Sequence, residues 1–146
     1  MPEPEHAKLQ NLFITSFQVN HKLEKILLEE IKAFDLNLTQ YRALEEIAHK
    51  DPTSLVDIQH QLGIASSTLS SAVDSLSQRG LIRKNRDPND LRTLEVYLTD
   101  KGTEVVTQIF TTSCERLEPL LETHPAYDFD HFMELQSRLL DFLEKM

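Results

Sequence analysis

The sequence predicts a mainly α-helical fold with a small β-hairpin wing. The expected arrangement is a winged helix-turn-helix over about residues 38–102, set between long N- and C-terminal helices over about 5–34 and 103–146, in one domain spanning 1–146. Three observations predict it. Apolar residues recur at spacings of three and four through most of the chain. A helix, a short turn and a second helix fit residues 54–79. After Gly80 the period shortens toward two, in two short runs joined by a polar turn.

The first helix is read from Leu9, Phe13, Phe17, Leu23, Leu27, Ile31 and Phe34, a wide apolar stripe over residues 9–34. Thr39 is the expected cap of a second helix, from Gln40 to about Lys50, which Asp51-Pro52 stops. Ser54-Leu55-Val56-Asp57 reads as a capping box opening a short helix to about Leu62. Gly63 gives the backbone freedom for a tight turn, and Leu69, Ala72, Val73 and Leu76 then mark a helix that Gly80 ends. Leu81–Asn85 and Thr93–Leu98 are the two strands, with residues 86–92 as the polar turn between them. Thr99 or Asp100 caps a further helix carrying Val106, Ile109, Phe110, Cys114 and Leu117, interrupted at His124-Pro125. Asp128 is expected to cap a last helix with Phe132, Leu135, Leu139 and Phe142 on one side.

Composition narrows the class. The 146 residues are 40% apolar and 27% charged, with three Gly, which suits an ordinary helix-rich globular chain. One cysteine cannot form an intrachain disulfide, and the N-terminus lacks the basic-then-apolar layout of a secretion signal, so a cytoplasmic location is expected. No apolar run approaches the roughly 18 residues that span a bilayer, so no membrane partner is expected.

The net charge of -9, taken as a total, opposes a nucleic-acid partner, but its distribution does not. Residues 1–53 hold six basic and nine acidic side chains, residues 54–102 six of each, and residues 103–146 three basic and nine acidic. Within the neutral middle, Arg79, Arg83, Lys84, Arg86 and Arg92 face Asp87 and Asp90, a local +3 on the hairpin and its lead-in. A basic hairpin behind a helix-turn-helix suits duplex DNA: one helix fills the major groove while the hairpin straddles the backbone. The plain alternative, a charged turn that is merely solvated, loses weight in that position.

On the second helix of the motif, buried Leu69, Val73 and Leu76 would leave Ser67, Ser70, Ser71 and Asp74 largely outward, and the run from Ser66 to Ser71, with Ser66, Ser67, Thr68, Ser70 and Ser71, is the expected DNA-reading segment. Serine is a poor helix-interior residue, yet its short hydroxyl allows close approach to phosphates and base edges. In the wing, Arg92 is expected in the minor groove, with Asp90 holding its guanidinium as a fork. Lys84 and Arg86 suit phosphate contacts that position without specifying sequence.

These residues resemble the MarR (multiple-antibiotic-resistance regulator) family of winged-helix transcription factors. The resemblance rests on Leu38-Thr39-Gln40-Tyr41, Leu62-Gly63-Ile64, Thr68-Leu69-Ser70 and Gly80-Leu81-Ile82-Arg83. It is most specific in Asp87-Pro88-Asn89-Asp90-Leu91-Arg92 followed by Leu98-Thr99-Asp100-Lys101-Gly102. It implies a homodimer with intertwined terminal helices, two winged parts on successive major grooves of a pseudo-palindromic operator, and a repressor that a small-molecule effector can release. The wide apolar stripe of residues 9–34 independently asks for a partner surface. Where the family often has a capping side chain this chain has Ala65, so Ser66 is the expected cap.

Other chemistry has little to stand on. Phe17, Phe34, Tyr41 and Phe110 are candidate linings of a ligand pocket, although aromatics at helical spacing are more often core. Cys114, between Phe110 and Leu117, is expected to pack as a small hydrophobe rather than to sense oxidants. The six histidines form no close pair at ligand spacing, so neither a metal nor another cofactor is expected. No Gly-rich phosphate loop, nucleophile elbow or metal-binding helix appears, which excludes an enzyme reading. The competing class is a winged helix that binds protein; such modules usually lack a basic wing tip, which makes Arg86 and Arg92 the discriminating residues.

Overall fold

A computed structural model describes residues 3–87 and 89–146, apart from the side chains of Asp87, Leu91, Arg92 and Tyr127. Among the described residues there are six helices and a three-stranded antiparallel sheet, in the order α1 (Pro4–Lys32), α2 (Leu38–His49), β1 (Thr53–Ser54), α3 (Leu55–Leu62), α4 (Ser66–Gln78), β2 (Ile82–Asp87), β3 (Asp90–Leu98), α5 (Asp100–Thr123) and α6 (Ala126–Glu144). The sheet order is β1-β3-β2. Contacts divide the chain into two units, Met1–Phe110 and Thr111–Met146.

The first unit holds the core. Ile31 of α1, Tyr41, Leu44 and Ile47 of α2, Ile58 of α3, and Leu69, Val73 and Leu76 of α4 are buried together with Ile82, Val96 and Ile109. Each fully buried aliphatic side chain contributes about 1.5–3 kcal/mol. The three helices of the middle region therefore cannot shift independently of the sheet. Thr53 and Ser54 pair with Val96 and Glu95 of β3, which brings the start of α3 against the hairpin.

Helix ends explain how the elements are joined. After α1, Asp35 takes a left-handed conformation (φ 54°), its amide donates to the Lys32 carbonyl, and the Leu36 amide donates to the Ile31 carbonyl. This is a Schellman turn whose apolar partners, Leu36 and Ile31, are both buried. The same motif closes α4: Gly80 (φ 73°) donates to Ser77, and Leu81 to Leu76. At the end of α3, Gly63 (φ 62°) supplies the expected left-handed turn.

Several expected boundaries move. The cap of α2 is Asn37, not Thr39: Asn37 Oδ1 accepts from the Gln40 amide at 2.8 Å, and Gln40 Oε1 accepts from the Asn37 amide at 2.9 Å. Ser54 Oγ accepts from the Asp57 amide at 3.2 Å as expected. The N-cap position of α6 is Pro125, which leaves Asp128 in the first turn as a charge favourable to the helix dipole. The wing strands run through most of the expected turn, because main-chain pairing continues as far as Arg86↔Leu94 and Asp87↔Asp90, with an irregularity between Arg86 and Asp87.

In the second unit, the end of α5 and all of α6 leave large apolar side chains at the surface, among them Leu120, Leu121, Phe132, Leu135, Phe142 and Leu143. Among the described residues no helix is long and apolar enough to cross a membrane.

Candidate nucleic-acid interface

Helix α4 is amphipathic in a way that fixes what it presents. Leu69, Ala72, Val73 and Leu76 are buried, while Ser66, Ser67, Thr68, Ser70, Ser71 and Asp74 are exposed. The five candidate hydroxyls thus stand outward together, Ser67, Ser70 and Ser71 as the spacing predicts and Ser66 and Thr68 in addition. Ser66 is not the cap: the N-cap position is Ala65, whose side chain cannot accept a hydrogen bond, so the first amides of α4 have no side-chain cap. Ser66 is the first helical residue, so α4 begins one position earlier than expected.

Beside this surface lies a cleft of about 560 Å³, lined by Asn37, Thr39 and Gln40 at the start of α2 and by Ser67, Thr68 and Ser71 of α4, with Ala72 and Ser75 behind them. None of the eight is ionisable, so the cleft offers hydroxyl and amide groups without fixed charge. Gln40 ties its two walls together: its side chain belongs to the cap of α2, and its Nε2 donates to Ser75 Oγ at 3.1 Å. Sequence alone does not place Asn37, Thr39 and Gln40 beside α4. The signal available in the sequence was the Asn37/Gln40 pair at capping-box spacing, which locates the end of α2 but not its neighbour.

The hairpin is anchored at its base by a dense set of bonds. Thr99 Oγ1 donates to the Gly80 carbonyl at 2.6 Å and accepts from the Gly102 amide at 3.0 Å, and the Thr99 amide donates to the Leu81 carbonyl at 3.1 Å. Lys101 Nζ donates to the Arg79 carbonyl at 3.2 Å. Gly102 is obligatory there: a Cβ would lie 2.0 Å from the Leu81 carbonyl oxygen. The Leu-Thr-x-x-Gly stretch is therefore the clasp that fastens the end of α4 to the start of α5.

Not all of the basic residues of this segment serve the surface. The Arg79 guanidinium donates to the carbonyl of Phe34 and, at 2.8 Å, to that of Asp35, capping the end of α1. Lys84 is half-buried and its Nζ lies 2.6 Å from Asp74 Oδ1, across from β2 to α4. Arg83 and Arg86 are exposed on β2. Asp90 accepts from Thr93 Oγ1 at 3.0 Å. The side chain of Arg92, expected in the minor groove and in a fork with Asp90, lies outside the described residues; its backbone is in β3.

The four aromatic candidates for a ligand pocket are spread differently. Tyr41 is fully buried and Phe34 half-buried against the core, whereas Phe17 is 70% exposed and Phe110 also lies at the surface. Neither the cleft beside α4 nor a smaller one of about 320 Å³ at the wing base includes any of them. Cys114 is exposed rather than packed, because the stripe it shares with Phe110, Leu117 and Leu120 is itself uncovered in the single chain. Among the described residues no three His, Cys, Asp or Glu side chains gather where they could hold a metal.

Comparison with known proteins agrees with this geometry. Residues 36–94 match the MarR family. The chain is 30% identical over 108 residues to the uncharacterised HTH-type transcriptional regulator YhbI of Bacillus subtilis, covering 73% of this chain and 70% of the relative. It is 25% identical over 118 residues to the transcriptional repressor MprA of Escherichia coli, covering 80% and 67% respectively. Among solved structures, a mutant of Escherichia coli MarR in complex with operator DNA superposes with a TM-score of 0.74 at 22% identity, covering 91% of this chain and 96% of that one. The locked wing, the hydroxyl-bearing α4 and these matches lead to one assignment: the chain belongs to the MarR family of winged-helix transcription regulators, and is a regulator rather than an enzyme.

Proposed function

We propose that the chain acts as a homodimeric repressor that binds a pseudo-palindromic operator, placing α4 in the major groove and the wing across the adjacent backbone. The observation that carries this reading is the exposed hydroxyl surface of α4 held rigidly beside a basic hairpin by the clasp at Thr99 and Gly102. Ser66, Ser67, Thr68, Ser70 and Ser71 contact phosphates and base edges, Arg86 contacts phosphate, and Arg92, oriented by Asp90, enters the minor groove. The similarity to the transcriptional repressor MprA and to Escherichia coli MarR in complex with operator DNA supports the same reading. Exposed Leu9, Phe13 and Phe17 on α1, together with the apolar side chains of α5 and α6, support a second copy as the dimer partner. Release by a small apolar effector belongs to this reading as well.

A gel-shift titration against the promoter region of its own gene, at two salt concentrations, tests it. Binding should weaken steeply as salt rises, and Arg92→Ala should weaken it by about 1–3 kcal/mol and lower the salt slope by about 1. Absent binding, or binding indifferent to salt, favours a protein-binding winged helix instead.

A further inference from the structure

Asp74 is an unexpected residue on a surface that meets phosphate. It continues the exposed side of α4 one turn beyond Ser70 and Ser71, where an isolated carboxylate would repel the duplex. Lys84 is equally out of place as a simple phosphate ligand. Strand alternation sets it on the same side of β2 as buried Ile82, opposite buried Val96, so its stem runs along the surface between hairpin and helix. The ammonium reaches Asp74 at 2.6 Å, a short charge-assisted bond.

We propose that Asp74 and Lys84 work as one positioning unit, a strut between α4 and the wing that sets the angle at which the two elements meet DNA. Lys84 positions the wing through Asp74 and does not serve as an independent phosphate contact; this rests on the DNA-binding reading above. The clasp at Thr99 and Gly102 fixes the base of the wing, and β1 pairs with Val96 and Glu95 on the β3 side; β2 lies on the far side of the sheet, in the order β1-β3-β2, and the Asp74–Lys84 bond ties that edge to α4. The strut lies three residues further out than the Leu81–Thr99 bond of the clasp, between it and the Arg86–Asp90 end of the hairpin. Neutralising Asp74 also removes the repulsion that its carboxylate would otherwise add. Both roles predict that the pair governs discrimination between sequences more than total affinity.

The test is a double-mutant cycle with Asp74→Asn, Lys84→Met and the two together. The probes are a duplex that the wild-type protein selects from a random-sequence pool and a scrambled duplex of equal length. The side chains are 61% and 30% exposed, so neither change opens the core. Each single variant should lower the selected-to-scrambled affinity ratio by about three- to tenfold, and the double variant by no more than either single one. The salt slope of Lys84→Met on the scrambled duplex should match wild type. The proposal is overturned if Asp74→Asn tightens binding to both duplexes alike while Lys84→Met lowers the salt slope by about 1, the behaviour of a separate phosphate contact. A wild-type chain that selects no sequence overturns the DNA-binding reading itself, an outcome visible before any variant is made.

Discussion

Gly63 and Gly102 are both needed, for different physical reasons. Gly63 has open space around the position of a Cβ but a left-handed backbone, so Gly63→Ala acts through conformation alone and should cost about 1–2 kcal/mol. Gly102 has an ordinary helical backbone and no space, since the Leu81 carbonyl lies 2.0 Å from the position of its Cβ. That carbonyl also accepts from the Thr99 amide, so it cannot retreat without opening the wing base. Gly102→Ala is therefore expected to cost about 1–3 kcal/mol in urea unfolding, and to reduce DNA affinity even where the variant is fully folded. A stable variant with unchanged affinity would show that the clasp does not control the wing. Residues 98–102 are legible in the sequence as a pattern, but the contact between Gly102 and Leu81 spans 21 positions and no local signal encodes it.

At the scale of elements, the periodic helices are the legible part. Leu69, Val73 and Leu76 define the buried side of α4 from sequence alone, and so the outward position of Ser67, Ser70 and Ser71. Helix starts are less legible, because several residues near a boundary have a suitable side chain and backbone geometry selects one. Asn37 and Thr39 compete for the start of α2, and the reciprocal bonds with Gln40 settle on Asn37. Asn37→Ala should accordingly lower stability by about 1 kcal/mol, seen as a lower urea midpoint, whereas Thr39→Ala should change it by less than about 0.5 kcal/mol. The reverse ranking would return the cap to Thr39. Strand β1 is illegible because two residues have no period, and the outer wing because ladder bonds between Asn85–Arg86 and Leu94–Glu95 need no alternating apolar side chains. The partners of Arg79 and Lys84 join different elements, so sequence could supply their charge but not its use.

For the molecule as a whole, charge and apolar surface divide the labour between regions. The segment from 79 to 92 carries a formal +3, but Arg79 is committed to the end of α1 and Lys84 to Asp74. Fewer cations therefore face a duplex than the sequence suggests, while residues 1–53 and 103–146 are net acidic. Under the proposed function, one winged unit with so few facing cations would bind weakly at physiological salt, and two units held together would gain in effective concentration at an operator. The surface available for that purpose is apolar: Phe13 and Phe17, one turn apart on α1 with ring centroids 6.4 Å from each other, are 63% and 70% exposed. Leaving such rings in water forfeits the burial that the rest of the first unit achieves. The proposed second copy would cover α1, a helix of 29 residues in which Ile31 is the buried residue in the single chain. The double variant Phe13→Asp/Phe17→Asp puts charge into that surface without touching the described wing or α4. In sedimentation the wild-type chain should run as a dimer and the variant as a monomer that keeps its helical circular dichroism. Affinity for the selected duplex should fall by about a hundredfold or more, through loss of the second binding unit rather than of any DNA contact. A wild-type monomer that binds the selected duplex as tightly as the full reading requires, or a variant that remains dimeric, would remove α1 from the dimer surface.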